Sequence, residues 1–486
     1  MLQPDSPAAM RCAGQHTREI SCGCLEWYGG QDRKSRAKNK AGKRTRTART
    51  ATTEGRDRAM IIRNTCVFGP DRKFHEHQDV VIRGGVFARA GQAAGRMGKG
   101  ASSFVPAVGD SAVQADLAEP AGREAVPYGT AFAETGVAAE VGEEIVDGNG
   151  CYAIPGLIDI HFHGAMNADV CDGERQAYEV IAAYEAREGI TAICPATLTL
   201  SVEELKHVLA VGADFAGTPH VGSDLIGFNM EGPFISHVKK GAQNEAYILP
   251  CSAAVADEFL DASDGLVKII GLAPEENPDF EEYIRAVKGR VTVSLAHTNA
   301  DYETAMRAFS AGASHAVHLF NAMTGLGHRE PGVVGAVSDS PHVNAEIICD
   351  GIHIHPAAVR AAFRLNGKER MVFISDSLRC TGMPDGEYEL GGQPVVKQGK
   401  FCRLKEGGNL AGSVTNLADC MRNAVKTMGI PLEDAVACAT INPARAIHEE
   451  ARYGSIEPGK KGHVVLLRRD ENLTPEHVIM NGTVIR

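Results

Sequence analysis

The 486-residue chain has a single tryptophan, no C-x-x-C pair among its 13 cysteines and no apolar run of eighteen or more residues. The missing run argues against a membrane span, which needs about 20 consecutive apolar residues. No apolar stretch follows the first basic residues, so the N-terminus does not read as a secretory signal, and the cytoplasm is the expected compartment. Cysteines scattered singly fit a reducing compartment better than a disulfide framework. Trp27 lies in a polar N-terminal stretch and says little about a folded body.

Hydrophobic residues at 44% and charged residues at 23% are the balance of a soluble globular chain, long enough for one barrel-sized domain and a smaller partner. The overall net charge of −11 hides an asymmetry: residues 1–59 hold 13 Lys+Arg against 6 Asp+Glu, and the remainder is strongly acidic. The acidic body disfavours nucleic acid and membrane surfaces, so an anionic substrate must be met by a few local donors. Residues 31–58 have almost no apolar side chains and are expected to be disordered, which makes 1–59 a basic extension. It reads either as an arm for an anionic partner or as an unstructured leader before Met60.

From Met60 the pattern turns to strands, in MIIRNTCVFG and DVVIRGGVFARAG, interrupted at about 92–144 by an Ala/Gly/Pro/Glu-rich insertion. Beyond Tyr152 eight short apolar runs alternate with amphipathic helical stretches: 154–161, 191–196, 225–232, 267–274, 291–297, 315–320, 344–351 and 371–376. Eight such units predict an α/β fold, a (β/α)8 TIM-like barrel. A Gly-rich hairpin at 385–400, two further helical stretches and the terminal strands HVVLLR and EHVIMNGTVIR follow, the last expected to return to the strands near Met60. The expected domains are thus a small β-sandwich built from both chain ends (60–153 and 455–486) around a barrel at 154–454.

Active sites of such barrels lie at the C-terminal ends of the strands. There the sequence places His161 and His163, Glu231, His297, His318 and Asp376. The period of two in His161-Phe162-His163 puts both imidazoles on one side, as a shared metal requires. Singly, each residue has an ordinary reading, an H-x-H as two core histidines, Glu231 as a loop acid, Asp376 as a helix cap. Jointly they point to a divalent metal site, and imidazole with carboxylate suits Zn, Fe, Mn or Co. His315, an odd number of residues from His318, is expected on the opposite face, and His355, next to Pro356, in a loop entering a helix.

The motifs PGLIDIHFHG, EGPF with KKGAQN, AHTNA, HLFNAMTGLGHREPG, DGIHIHP, ISDS, GNLAGS, NPAR and GSIEPGKKGHVVLL resemble those of the N-acetylglucosamine-6-phosphate deacetylases of the amidohydrolase superfamily. The resemblance runs from about Met60 to Arg486 apart from the insertion. It implies a hydrolase acting on the acetamide of an amino-sugar phosphate, with Glu231, His297 and His318 on a principal metal and His161 and His163 helping to hold a second, so one or two ions per subunit. It implies Asp376 as general acid/base and His353 as a substrate contact that polarises the acetyl carbonyl. Ala242, Gln243, Asn321, Ala322, Arg329, Leu410, Ala411 and Gly412 would line the sugar-phosphate site, with Gln243 standing where other members have His. It further implies a homodimer in which Arg329 reaches the neighbouring subunit's site.

The chemistry of the residues agrees with that family. Amide hydrolysis needs an activated water, oxyanion stabilisation and a group that carries the proton to the departing amine, which a strand-end carboxylate such as Asp376 can do; as an alternative, Asp376 is only a metal ligand. Arg329 has the planar fork suited to phosphate, or forms a surface salt bridge. Asn321 and Ala322 can offer a side-chain amide and a backbone N–H to the same phosphate, or form an Asx turn. Two further readings stay open: an amidohydrolase for a different N-acyl or cyclic amide, and a nucleic-acid-binding scaffold working through the basic extension.

Overall fold

The computed structural model describes residues 59–88, 132–134 and 142–486. Eight parallel strands form in the expected order: Leu157–Asp159, Ile190–Ile193 continuing at Ala196–Thr197, Asp224–Leu225 continuing at Phe228–Phe234, Val267–Leu272, Thr292–Leu295, His315–Ala316, Asn344–Ile348 and Met371–Ile374. Each pairs with its successor. The ring closes where Asp376 N–H donates to His161 O at 2.9 Å and His163 N–H to Ser377 O at 2.8 Å. A helix lies in each of the seven intervals, from Arg175–Glu188 to Pro356–Asn366. Four of the seven start at a side-chain cap that fixes the first helical residue, as where Ser201 accepts from Glu204 N–H while Glu204 accepts from Ser201 N–H.

The strands are β-branched and aliphatic on both faces, as a sheet covered on both sides demands. One set packs against the helices. The other fills the barrel floor, where Ile158, Ile160, Ala192, Cys194, Ile226, Ile269, Ile348, Val372 and Ile374 form one buried cluster with side chains of the helix Ile441–Ala446. Beside the barrel is a nine-stranded sheet with its own core of Met60, Ile62, Val80, Ile82, Val464 and Ile479. The terminal strands do return to this sheet, but not directly onto the first one. Tyr152–Pro155 lies between, parallel to Ala59–Phe68 and antiparallel to Val464–Leu467.

Residues 154–161, expected as one strand, are divided between the two sheets at Gly156. Its N–H donates to His463 O at 3.0 Å, and a Cβ there would stand 2.0 Å from Thr191 Oγ1. Only glycine lets the chain pass so close to the second barrel strand while it changes sheets. The Gly-rich hairpin expected at 385–400 is a three-stranded antiparallel sheet, Gly386–Leu390, Gln393–Gln398 and Phe401–Leu404. Its inner face packs Leu390, Val395 and Cys402 on Leu198, Leu378 and Ala411, which brings it over the strand-end rim.

The basic extension, except Ala59, and most of the 92–144 stretch lie outside the described residues. Within that stretch Phe132–Glu134 adds a strand to Phe74–Arg83. Among the described residues no helix is long and apolar enough to cross a membrane.

Candidate active site

At the C-terminal rim the strands end in turns that aim side chains inward. His297 (φ 43°), His318 (φ 25°), Phe320 (φ 77°), Ala322 (φ 49°) and Asp376 (φ 52°) all have left-handed backbone without being glycine. Each such residue costs on the order of 1–3 kcal/mol, and a cluster of them marks a place where side-chain direction is fixed at the expense of local stability.

Glu231, in the third strand, is the hub. Its Oε1 lies 2.9 Å from His318 Nε2, 3.0 Å from His297 Nε2 and 3.2 Å from His161 Nε2, and its Oε2 lies 3.4 Å from His163 Nε2. Behind the rings, each Nδ1 faces an acceptor. His163 Nδ1–H donates to Ala196 O (3.1 Å), His297 Nδ1–H to Lys239 O (2.8 Å), His318 Nδ1–H to Asn321 O (3.1 Å) and His161 Nδ1–H to Glu346 Oε2 (2.7 Å).

This pattern fits a divalent cation. In its neutral form, with the proton on Nδ1, each imidazole directs an Nε2 lone pair toward the carboxylate, the arrangement in which a cation between them takes the place of an Nε2 proton. His161 Nε2 is buried with no hydrogen-bond partner. Two groups could hold a metal ion, His161 with His163 and Glu231, and Glu231 with His297 and His318, each with ligand atoms within 4.8 Å of one another. The donor set of imidazole and carboxylate, without thiolate, suits the divalent ions of hydrolytic sites.

The site opens into a cavity of about 490 Å³. Asp376 stands at its edge, Oδ1 3.4 Å from His163 Nε2. Burial raises the proton affinity of this carboxyl, but His163 outweighs that and holds it below the usual carboxylate range. His353 is fixed by Asp350, with Nδ1–H donating to Asp350 Oδ2 at 2.7 Å, and it also lines the cavity. Ala242, Asn321, Ala322, Leu410, Ala411 and Gly412 complete much of the wall. Gly412 has φ 44°, and a Cβ there would meet Leu378 Cδ2 at 2.7 Å and Asp376 O at 2.9 Å, so this turn packs directly on the strand that carries Asp376.

Three residues behave differently from a simple lining role. Gln243 reaches the cavity, but its carboxamide is engaged at both ends, accepting from Thr199 N–H at 2.7 Å and donating to Glu231 Oε2 at 2.6 Å, so it steadies the hub. Asn321 turns its amide back on His318 O and Leu319 O, at 3.3 and 3.4 Å. Arg329 is exposed on the loop before the helix Gly332–Asp339, bonded to His328, and does not line this cavity.

Residues 152–485 match the model of the amidohydrolase family. The chain belongs to the amidohydrolase family. This amidohydrolase is 34% identical over 321 residues to the N-acetylglucosamine-6-phosphate deacetylase of Bacillus subtilis (strain 168), covering 65% of the chain and 81% of that relative. It is also 34% identical over 328 residues to the N-acetylgalactosamine-6-phosphate deacetylase of Escherichia coli O157:H7, covering 68% of the chain and 86% of the relative. The fold matches the N-acetyl-D-glucosamine-6-phosphate deacetylase of Mycobacterium smegmatis, solved as a mutant with N-acetyl-D-glucosamine-6-phosphate, with a TM-score of 0.73 at 22% identity over 89% of this chain and all of that one.

The electrostatics of this amidohydrolase centre on buried opposite charges. Burial disfavours an ionised Glu231, yet the imidazoles, His297 first, hold its carboxyl well below the usual range. Burial likewise lowers His161, His163 and His297, and the carboxylates around them outweigh it, so all three are raised above the ordinary imidazole value. Any cation entering the amidohydrolase site displaces those protons.

Sequence reasoning passed over Glu346 and Asp350, the groups that orient His161 and His353. For Glu346 the signal was present: one charge between Ala345 and Ile347 in the buried part of a strand. His315 is a buried core residue and no ligand, as expected, but it does not point away from the barrel interior. The strand ends at Ala316, so the alternation that set His315 opposite His318 fails, and its Nε2–H donates inward to Glu346 Oε1 at 2.9 Å. His355 is the N-cap of Pro356–Asn366, accepting from Ala357 N–H at 3.1 Å.

Proposed function

We propose that this amidohydrolase removes the acetyl group of N-acetyl-D-glucosamine 6-phosphate, giving D-glucosamine 6-phosphate and acetate. The single observation that carries the reading is the Glu231 hub, with four imidazoles around it, three of which line one cavity with the carboxylate of Asp376, in a chain whose relatives are named as deacetylases of amino-sugar phosphates.

Glu231, His297 and His318 would hold the principal cation, and His161 and His163 with Glu231 a second, with Zn, Fe, Mn or Co as candidate ions. When bound, a divalent cation supplies a Lewis acid for the acetamide and acidifies water. Asp376 then does the proton work, taking a proton from the attacking water at its carboxylate and delivering it to the departing amine. His353, its Nδ1–H tied to Asp350, presents Nε2 to the cavity, where it meets the acetyl carbonyl. The Ala411–Gly412 turn and the Ala242–Gln243 segment shape the sugar pocket, with Gln243 contributing its stem while its amide braces Glu231.

Asn321, Ala322 and Arg329 form the phosphate end. Because Arg329 lies outside the cavity of its own subunit, it serves a neighbouring copy, which makes the enzyme a homodimer with shared sites. A charged sugar phosphate is confined to the cytoplasm, and that is where the reaction is placed.

Acetate release is the test, using N-acetylglucosamine 6-phosphate, its galacto epimer and unphosphorylated N-acetylglucosamine, before and after chelation with each metal added back. Chelator-sensitive turnover of the glucosamine phosphate is the expected result. A strong preference for the galacto epimer moves the assignment to the activity named for the Escherichia coli relative, and no turnover with any metal sinks it.

A further inference from the structure

We propose that Glu346 is a positioning residue that sets His161 for cation binding, so that the ion held by His161, His163 and Glu231 depends on it. The proposal rests on the metal-site reading above.

Glu346 lies in the seventh barrel strand with no solvent exposure, beside the apolar floor cluster and in contact with the buried polar side chains of Asn229 and His315. A carboxylate there is costly unless its oxygens are fully bonded. They are: Oε2 accepts from His161 Nδ1–H at 2.7 Å and His318 N–H at 3.2 Å, and Oε1 from His315 Nε2–H at 2.9 Å and Asn229 Nδ2–H at 3.4 Å. The donors come from the first, third and sixth strand regions, so the carboxylate ties three parts of the barrel wall beneath the hub.

The arrangement has a direction. An ionised carboxylate only accepts hydrogen bonds, so the proton of His161 is held on Nδ1 and the Nε2 lone pair points at Glu231. His163, His297 and His318 are held by backbone carbonyls; His161, the most deeply buried of the four, is held by a full negative charge. A carboxylate behind an imidazole raises its basicity as a ligand and fixes its ring plane. Through His318 N–H the same carboxylate also pins a backbone held at φ 25°. A residue needed only to fill space there would be apolar, like those of the adjoining floor cluster.

The test compares the parent enzyme with Glu346→Gln, which keeps the shape but replaces one acceptor oxygen with a donor. Both proteins are stripped by chelation and titrated with Zn(II) against a chromophoric chelator, and with Co(II) followed by visible absorption, with metal content per subunit measured directly. The parent is expected to take two ions. The variant is expected to bind the weaker one about 10–100-fold less tightly, keep the ion of Glu231, His297 and His318, and show an altered Co(II) spectrum. In His161→Ala, which already lacks the ligand, adding Glu346→Gln is expected to change nothing further.

Identical affinities and spectra in parent and variant overturn the proposal, as does equal loss of both ions, which is the mark of a merely structural role. If Glu346→Gln does not fold, Glu346→Asp keeps an acceptor at a shorter reach and is expected to weaken the same ion several-fold; unchanged binding there also overturns the proposal. A parent that binds no divalent cation overturns the metal-site reading as well, whereas a cation-binding, active parent with an indifferent variant overturns this inference alone.

Discussion

Within one barrel, Ile158, Ile269, Ile348, Val372 and Ile374 fill the floor with branched apolar side chains, while at the strand ends His163, His297, His318, Glu231 and Asp376 line one cavity, with His161 buried against Glu231. The floor lies on regular strand, and the rim on turns with left-handed backbone at His297, His318 and Asp376. The difference separates two jobs along a single strand. Burial below supplies the stability that lets the rim hold buried charge and strained backbone in place. Glu346 is the point where the two meet, a charge set into the floor and satisfied only by donors that belong to the rim and its supports.

The sharpest way to separate the two regions is to remove the hub. Glu231→Gln is expected to lower kcat/KM at least ~1,000-fold, about 4 kcal/mol, because it strips the one group shared by both metal clusters. Its unfolding midpoint in the absence of metal is expected to fall, because the carboxylate that offsets the buried imidazoles has gone. Steady-state kinetics at a temperature where a thermal melt in chelator shows the variant still folded checks this, and a kcat/KM within about tenfold of the parent's would remove the hub role.

Ile269→Ala asks the opposite of the floor. Ile269 is fully buried, and cutting it to alanine leaves a cavity worth about 2–5 kcal/mol of stability. Turnover per folded molecule is expected to stay within a factor of a few. Urea unfolding and active-site titration together measure both, and a large loss of kcat with unchanged stability would mean that floor and rim are not separable in this way.

The same division explains what was legible in the chain. Eight apolar runs with helices between them announce a barrel, because burial of the strands on both sides leaves a strong pattern. The Pro155-Gly156 pair marks a break in IPGLIDIH, but not that residues 154–161 serve two sheets; the pairing and the closeness of Thr191 show that. The core role of His315 was legible but its direction was not, because alternation holds only within a strand, and this strand is two residues long. Partners distant in sequence, such as Glu346 for His161 and Gln243 for Glu231, carry no local signal beyond an isolated polar residue in a buried setting.

Arg329 belongs to neither region, being exposed and outside the cavity, and its proposed role at a second subunit's site can be tested separately. Arg329→Ala is expected to raise KM for the phosphorylated sugar about 10–100-fold, the scale of a lost charge-assisted pair, and to leave the unphosphorylated sugar unaffected. Equal effects on both sugars would remove the phosphate role. Sedimentation at assay concentrations completes the measurement, because a fully active monomer would contradict a site shared between subunits.

The smallest effect is expected at the junction of barrel and side sheet, where His463 is buried beside Asp224 at 3.8 Å and its carbonyl receives Gly156 N–H. Burial pushes its imidazole down to about 4, against the opposing pull of Asp224. Below about pH 6.5 the unfolded chain binds a proton that the folded protein refuses, so stability falls as pH drops from about 6.5 toward 4. At pH 5.5 the loss is about 1 kcal/mol, and His463→Gln, which cannot titrate, is expected to remove that part of the acid slope while matching the parent's slope above pH 7. Denaturant unfolding of both proteins at pH 7.5 and 5.5 measures it. An unchanged slope would mean that His463 takes up its proton in the folded state, with the Asp224 carboxylate as its counterion, and the junction would then be a polar contact like those of the rim.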